Sequence, residues 1–331
     1  MQSKDKGMQQ KRICINLRRG EGDQLYEYLK EQLLKQHFTL VKTNYEKIDA
    51  EKLIEAARGC DALISGVDTW NSDQLKRVQG RLSLIARMGV GVDGIDYAHA
   101  SAYGITVTNT PGTNSQAVAE GAVALMLSLL RNIATADRNL RNGQWNNRTL
   151  TRQLSNARIG IVGYGNIGKR VISLLQGFTH SILVYDPFVG KAIEGQEYVR
   201  FTDLKTLAQE SDVISLHLPL TDETSHLIDR AFFACMKPTA YLINTSRGAI
   251  VDEEALLEAL NLKQIAGAAL DVFEQEPRVP DALKAMDNVV LTPHMLSATY
   301  ESAFATVDAL VDTICSYFAG KPKNVQGSIN A

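Results

Sequence analysis

The chain has 331 residues, 45% of them hydrophobic and 22% charged, a globular composition too long for one compact core, so two domains are expected. Its formal net charge of -2 supplies no clustered positive field for nucleic acid or an anionic membrane, and a small molecule is the expected ligand. Cys14, Cys60, Cys235 and Cys315 share no CxxC spacing, which argues against zinc or a redox pair and predicts buried thiols in a reducing, cytoplasmic setting.

The opening stretch MQSKDKGMQQKR is polar, so neither a signal peptide nor a membrane anchor is expected there. Short β-branched runs then alternate with longer amphipathic segments, the pattern of βαβ units and a parallel sheet, and the fold class is α/β. Predicted strands at 13–16, 62–65, 84–87 and 106–108 stop at Asn109-Thr110-Pro111-Gly112. Thr113-Asn114-Ser115 offers capping side chains for a helix over about 116–130. Its apolar run is broken by Glu120 and falls short of the roughly 18 residues that a membrane span needs, so a buried helix is predicted. Six further strands are predicted at 159–162, 182–185, 213–216, 241–244, 268–270 and 289–291, enough for a complete dinucleotide-binding sheet. A last helix over about 300–318 ends at Gly320 and Pro322.

The buried run Ile159-Gly160-Ile161-Val162 leads directly into Gly163-Tyr164-Gly165-Asn166-Ile167-Gly168 and then a helical stretch. This is GxGxxG in its strand-turn-helix context: Gly163 permits the tight turn, Gly165 lets backbone approach a pyrophosphate, and Gly168 lets helix and strand pack closely. The helix start, with Asn166 and Ile167, supplies N–H groups and a positive dipole end. Asp186 ends the next predicted strand, where a carboxylate can accept from both ribose hydroxyls and would repel a 2'-phosphate. NAD is therefore the expected cofactor, ahead of NADP.

Three later segments carry residues suited to a 2-keto acid: INTSRGAIVDEEAL around Arg247, GAALDVFEQEP with Asp271 and Glu276, and VVLTPHMLSAT around His294. A guanidinium binds a carboxylate bidentately, which suits Arg247. Imidazolium can protonate a carbonyl oxygen as hydride arrives and accept the proton in reverse, which suits His294. Glu276 would orient that ring and stabilise its charged form. His37, His99, His180, His217 and His226 form no metal-ligand pattern, and no metal is expected.

Together with RMGVGVDGID from Arg87, VTNTPGTNSQAVAE from Val107 and SDVISLHLPLTDET from Ser211, these segments closely resemble the D-isomer-specific 2-hydroxyacid dehydrogenase family, most nearly its phosphoglycerate dehydrogenase-like branch. The resemblance covers most of the chain. It implies an NAD-dependent oxidoreductase that moves hydride between NAD(H) and a small D-2-hydroxy acid or its 2-keto partner, with phosphoglycerate and hydroxypyruvate among the substrates. Arg247, Glu276 and His294 take the roles just described. Backbone N–H groups of Met88, Gly89, Val90 and Gly91 would hold the substrate carboxylate. Asp271 matches a position beside the nicotinamide, Thr245 and Ser246 lie along the cofactor, and His217-Leu218-Pro219 packs near its nicotinamide side.

The same resemblance implies a flavodoxin-like substrate domain from 1–111 and 295–331, with an NAD-binding, doubly wound parallel sheet inserted at 112–294. It also implies a homodimer, for which the very apolar helix at 117–130 is a second reason. Two departures stand out. Asn156-Ala157-Arg158 replaces the glycine-lysine of many relatives, and Met295-Leu296 replaces a smaller pair, which would narrow the substrate pocket. Formate and phosphonate dehydrogenases are rivals of the same architecture, the former using glutamine where this chain has Glu276. The alternative from another class is an NAD-sensing binding protein or corepressor-like regulator.

Overall fold

The computed structural model describes residues 10–17, 23–42, 49–66, 68–145, 150–189 and 198–321. They form two compact units, one running to Asn114 and resuming at Thr299, the other comprising Ser115–Ala298. The divisions fall just before two helices, Ser115–Leu130 and Tyr300–Phe318, instead of after 111 and 294.

In the first unit, five short apolar runs become β1 (Arg12–Asn16), β2 (Thr39–Lys42), β3 (Ala62–Ser65), β4 (Leu84–Arg87) and β5 (Thr106–Thr108). All pair in parallel in the order β2-β1-β3-β4-β5, the flavodoxin-like arrangement. Successive side chains point to opposite faces, so a sheet covered on both sides needs apolar residues at every position. Ile13 and Ile15 accordingly pack with Leu29, Leu33, Leu310 and Ile314, while Cys14 packs on the other face with Leu53, Leu75 and Ile85. The helix Tyr300–Phe318 is tied back by Tyr317, whose hydroxyl donates to the Ser83 carbonyl at 2.8 Å, and by Tyr28, whose hydroxyl donates to Asp308 at 2.8 Å.

The second unit adds β6 (Ile159–Val162), β7 (Ile182–Tyr185), β8 (Val199–Phe201), β9 (Val213–Leu216), β10 (Tyr241–Asn244), β11 (Gly267–Leu270) and β12 (Val289–Leu291). These seven strands are parallel in the order β12-β11-β10-β9-β6-β7-β8. The order reverses between β6 and β9, and ligands of open α/β sheets bind beyond the carboxyl ends of strands at such a switch point. The chain is thus an α/β protein with two doubly wound parallel sheets.

Two strands, β2 and β8, arise where no strand was expected, and both lie at sheet edges. The helix Ser115–Leu130 is apolar because it fills the second core: Ala119, Ala122, Met126 and Leu130 pack with Ile159, Ile161, Ile243 and Ala269. Its composition is therefore used up inside the unit and gives no independent reason for a dimer. Exposed apolar side chains instead follow it, at Ile133, Leu140, Trp145 and Leu150. Among the described residues no single helix is long and apolar enough to cross a membrane. Of the four free thiols, Cys14 and Cys60 are buried as expected, whereas Cys235 and Cys315 are only half-buried. Gly320 follows the last helix with a φ of 66°, and Pro322 lies outside the described residues.

Candidate active site

The GxGxxG glycines each answer a distinct steric demand. Gly163 has a φ of 102°, and a Cβ there would lie 2.5 Å from the His217 carbonyl oxygen. A Cβ at Gly168 would lie 2.1 Å from the Gly163 carbonyl oxygen, so helix and turn touch backbone to backbone. At Gly165 nothing stands within 4 Å, leaving open space beside the start of the helix Asn166–Leu175. That helix has no capping side chain, so its first-turn N–H groups are offered to a ligand. Asp186 anchors the same turn: its Oδ2 accepts from the Tyr164 N–H at 2.7 Å and its Oδ1 from the Phe188 N–H at 2.9 Å. A carboxylate oxygen has a second acceptor site, so these bonds fix the carboxylate without exhausting it.

The neighbouring strand ends carry buried polar atoms that lack partners. Ser215 and His217 are 2.9 Å apart through Oγ and Nε2, while among the described residues His217 Nδ1 has no partner, and neither has Thr245 Oγ1. Burial pushes the His217 pKa down to about 3, so the ring is neutral at physiological pH. A buried unsatisfied polar atom costs about 1–3 kcal/mol, which a ligand that meets it can return. Pro219 is exposed just beyond, and its carbonyl accepts from the Thr224 hydroxyl at 2.8 Å.

Beyond β10, Asn244 organises the turn that presents Arg247. Its Oδ1 accepts from the Ser246 N–H at 3.1 Å and hydroxyl at 2.8 Å, and its Nδ2 donates to the Arg247 carbonyl at 2.8 Å. Gly248 follows, and a Cβ on it would fall 1.9 Å from the Phe273 carbonyl carbon. Only glycine lets the Arg247 turn lie against the backbone of the segment that leads to Glu276. The same contact is laced at its edge: the Glu274 N–H donates to Glu253 at 3.2 Å, the Glu253 N–H donates to Glu274 at 3.3 Å, and His226 Nε2 stands 2.8 Å from Glu274. Burial, opposed by a backbone hydrogen bond and reinforced by the Glu274 charge, holds the Glu253 carboxyl above its ordinary range.

Glu276 Oε1 accepts from the Phe273 N–H at 3.2 Å, and its Oε2 lies 2.8 Å from His294 Nδ1. His294 has a φ of 51°, a left-handed conformation that costs an ordinary residue energy and needs support. The support is Asp271, which is buried and whose Oδ1 accepts from the Thr292 hydroxyl at 2.6 Å and the Met295 N–H at 2.9 Å. Its Oδ2 accepts from the Leu296 N–H at 3.3 Å, and its carbonyl from the His294 N–H at 2.8 Å. The carboxylate expected beside the nicotinamide thus also anchors the turn that carries the histidine, with acceptor capacity left on Oδ2.

Residues 123–295 match the NAD binding domain of the D-isomer specific 2-hydroxyacid dehydrogenases. The chain is 38% identical to a glyoxylate reductase of Korarchaeum cryptofilum across 88% of its own length and 90% of that protein. It is 37% identical to a D-3-phosphoglycerate dehydrogenase of Synechocystis, across 85% of its own length and 50% of that longer protein. Among solved structures, D-lactate dehydrogenase from Aquifex aeolicus, complexed with NAD and lactic acid, superposes with a TM-score of 0.83 at 27% identity, over 97% of this chain and 99% of that one. The chain belongs to the D-isomer specific 2-hydroxyacid dehydrogenase family. As a member it is an NAD-dependent oxidoreductase that transfers hydride between NAD(H) and a small D-2-hydroxy acid or 2-keto acid. Its open Gly165 turn, uncapped helix start and orphaned His217 and Thr245 atoms fit such a dinucleotide.

For this dehydrogenase the sequence reading of Met295-Leu296 needs correcting in one half. Leu296 is half-buried and packs against the second core, where a Cβ on Gly121 would lie 2.7 Å from its Cδ2, so its side chain is turned to the buried helix. Met295 is 49% exposed. The supporting roles of Gly248, Glu253 and Thr292 are not visible in the sequence because each acts through contacts distant in it, whereas Asn244 acts locally, on Ser246 and Arg247, and no motif marks it. In the first unit, the Met88 and Gly89 N–H groups are already committed, to the Ser65 carbonyl at 2.9 Å and the Arg87 carbonyl at 3.0 Å. Among the described residues no partner meets the N–H groups of Val90 and Gly91. Of the four donors expected, those of Val90 and Gly91 are the ones left open.

Proposed function

We propose that Arg247, Glu276 and His294 perform the chemistry on a short 2-keto acid, with Arg247 binding its carboxylate and His294 passing a proton to and from its carbonyl oxygen. When bound, the nicotinamide supplies or accepts the hydride. The observation that carries this reading is the 2.8 Å contact between His294 Nδ1 and Glu276. That contact leaves Nε2 as the ring nitrogen for substrate, and the carboxylate stabilises the imidazolium that donates in reduction. Asp271 and Asn244 act as positioning residues for His294 and Arg247. Gly163, Gly165, Asn166, Ile167, Gly168 and Asp186 hold the cofactor, with Thr245, Ser246 and Pro219 along it, and the first unit is the substrate-binding domain.

The substrate class proposed is an unphosphorylated acid of glyoxylate or hydroxypyruvate size. The likeness to a glyoxylate reductase, 38% identical over 88% of this chain, supports it. A homodimer is proposed, with the exposed Ile133, Leu140, Trp145 and Leu150, close in sequence, as its candidate interface residues. Four free thiols support a reducing compartment, the cytoplasm. The test is NADH oxidation with glyoxylate, hydroxypyruvate, pyruvate, branched 2-keto acids and 3-phosphohydroxypyruvate. The first two should give the highest kcat/KM, and a clear preference for the phosphorylated acid would overturn the assignment.

A further inference from the structure

We propose that Arg87, Asn109 and Thr110 are positioning residues that aim the backbone of the loop 89–92 at the substrate carboxylate. Three successive carbonyls of that loop are each held by a donor at the end of β4 or just beyond β5. The Thr110 N–H donates to the Gly89 carbonyl at 3.1 Å, Asn109 Nδ2 to the Val90 carbonyl at 2.7 Å, and Arg87 Nε to the Gly91 carbonyl at 3.1 Å. An extended chain alternates its carbonyls, so three turned to one body require a bent backbone, and Gly89 supplies it with a φ of 138°. In a trans peptide the C=O and N–H point in opposite directions. Holding these carbonyls therefore turns the N–H groups of Val90, Gly91 and Val92 the other way, and none of the three has a partner among the described residues.

The holders are themselves fixed. Thr110 Oγ1 accepts from the Gly89 N–H at 3.2 Å, closing a two-bond ring with that residue. Arg87 Nη1 donates to Ser65 Oγ and to the Asp68 carbonyl, both at 3.2 Å. Asp68, buried, accepts from Asn16 at 3.1 Å and Ser65 at 2.8 Å, so the clamp reaches into the sheet. Asn109 is nine-tenths buried and must be an amide, because the Val90 carbonyl needs a donor and a carboxylate would repel it. A row of consecutive backbone N–H groups is an anion-binding concavity. Its neutral donors keep the same charge at every working pH.

The inference rests on the reading that this loop binds the substrate carboxylate, and the test separates the two. Oxalate binding to the enzyme–NADH complex is measured by NADH fluorescence, beside the KM and kcat for glyoxylate, the Kd for NADH and the thermal midpoint. Asn109→Asp should weaken oxalate and raise the glyoxylate KM by at least tenfold, with kcat and NADH affinity changed less than threefold. Thr110→Val, which keeps the N–H donor but loses the Oγ1 acceptor, should raise KM about threefold. Gly91→Pro and Val92→Pro each delete one N–H and test the underlying reading. If folded proline variants bind oxalate normally, the loop does not hold the carboxylate and both ideas fall. If they lose oxalate while Asn109→Asp and Thr110→Val do not, the reading stands and the clamp is wrong. Should Asn109→Asp fail to fold, the volume-matched Thr110→Val decides, and an unchanged KM overturns the clamp.

Discussion

The loop 89–92 of the first unit and the turn 292–296 of the second are both short segments at the carboxyl ends of parallel strands, yet they are built in opposite ways. In the first, side chains hold the backbone and the backbone presents the donors. In the second, a buried Asp271 carboxylate holds the backbone, and a side chain, His294, is presented to Glu276. Backbone donors cannot titrate and survive most side-chain changes, which suits the binding of an unchanging carboxylate. Side chains can gain and lose protons and are lost by single substitutions, which suits a step that moves a proton.

The largest break in that comparison should come from His294→Ala. Removing the proton carrier should lower kcat on the order of 10^3-fold in both directions, while the NADH Kd, read by fluorescence, stays within about twofold. Retained turnover would mean that the second segment does not move the proton. Arg247→Lys should reduce kcat/KM for the keto acid by roughly 30- to 150-fold, about 2–3 kcal/mol, since one ammonium cannot reproduce a guanidinium fork. An unchanged kcat/KM would remove Arg247 from the site.

Glu276→Gln should have a smaller and asymmetric effect. The amide keeps a hydrogen bond to the ring but loses the charge that favours imidazolium. Keto-acid reduction, which needs that cation, should fall about tenfold, and hydroxy-acid oxidation clearly less. Equal losses in both directions would make Glu276 a mere spacer.

The smallest effect sharpens the comparison through stability. Burial depresses the His217 pKa from 6.5 to about 3, so below pH 6.5 the unfolded chain takes up a proton that the folded one refuses. Stability from this group is intact above pH 6.5 and declines as pH falls toward about 3, by at most about 1.4 kcal/mol per pH unit. His217→Asn should flatten that acid limb in urea titrations at successive pH values. Parallel limbs for both proteins would show that the ring is not held neutral.

Periodicity sufficed for β1, β3, β4, β5, β6, β7, β9, β10, β11 and β12, which are short apolar or β-branched runs bounded by turn residues. It did not reveal β2, Thr-Leu-Val-Lys, or β8, Val-Arg-Phe, whose edge positions relax the demand for buried side chains. The close approaches at Gly163 and Gly168 and the pairing of Glu276 with His294 were legible because each is local or joins distinctive residue types. Asn109 and Thr110 looked like turn residues before Pro111, and nothing in their neighbourhood names Val90 or Gly89 as partners. The anchoring role of Asp271 was hidden for the same reason: a carboxylate at a strand end suits a cofactor contact, and the turn bonds it also makes join it to residues more than 20 positions away. Leu296 was taken as facing substrate because its contact with Gly121 joins residues far apart in the chain.

That contact ties the substitution histories of two distant positions together. Leu296 follows the histidine by two residues and is seated in a space that exists only because position 121, in the buried helix, has no side chain. A methyl added at 121 would require position 296 to shrink or would displace the turn that carries His294. Leu296 and the bare backbone at 121 thus divide one volume between a helix and the turn that carries His294, so in this chain a gain of bulk at either position calls for a loss at the other.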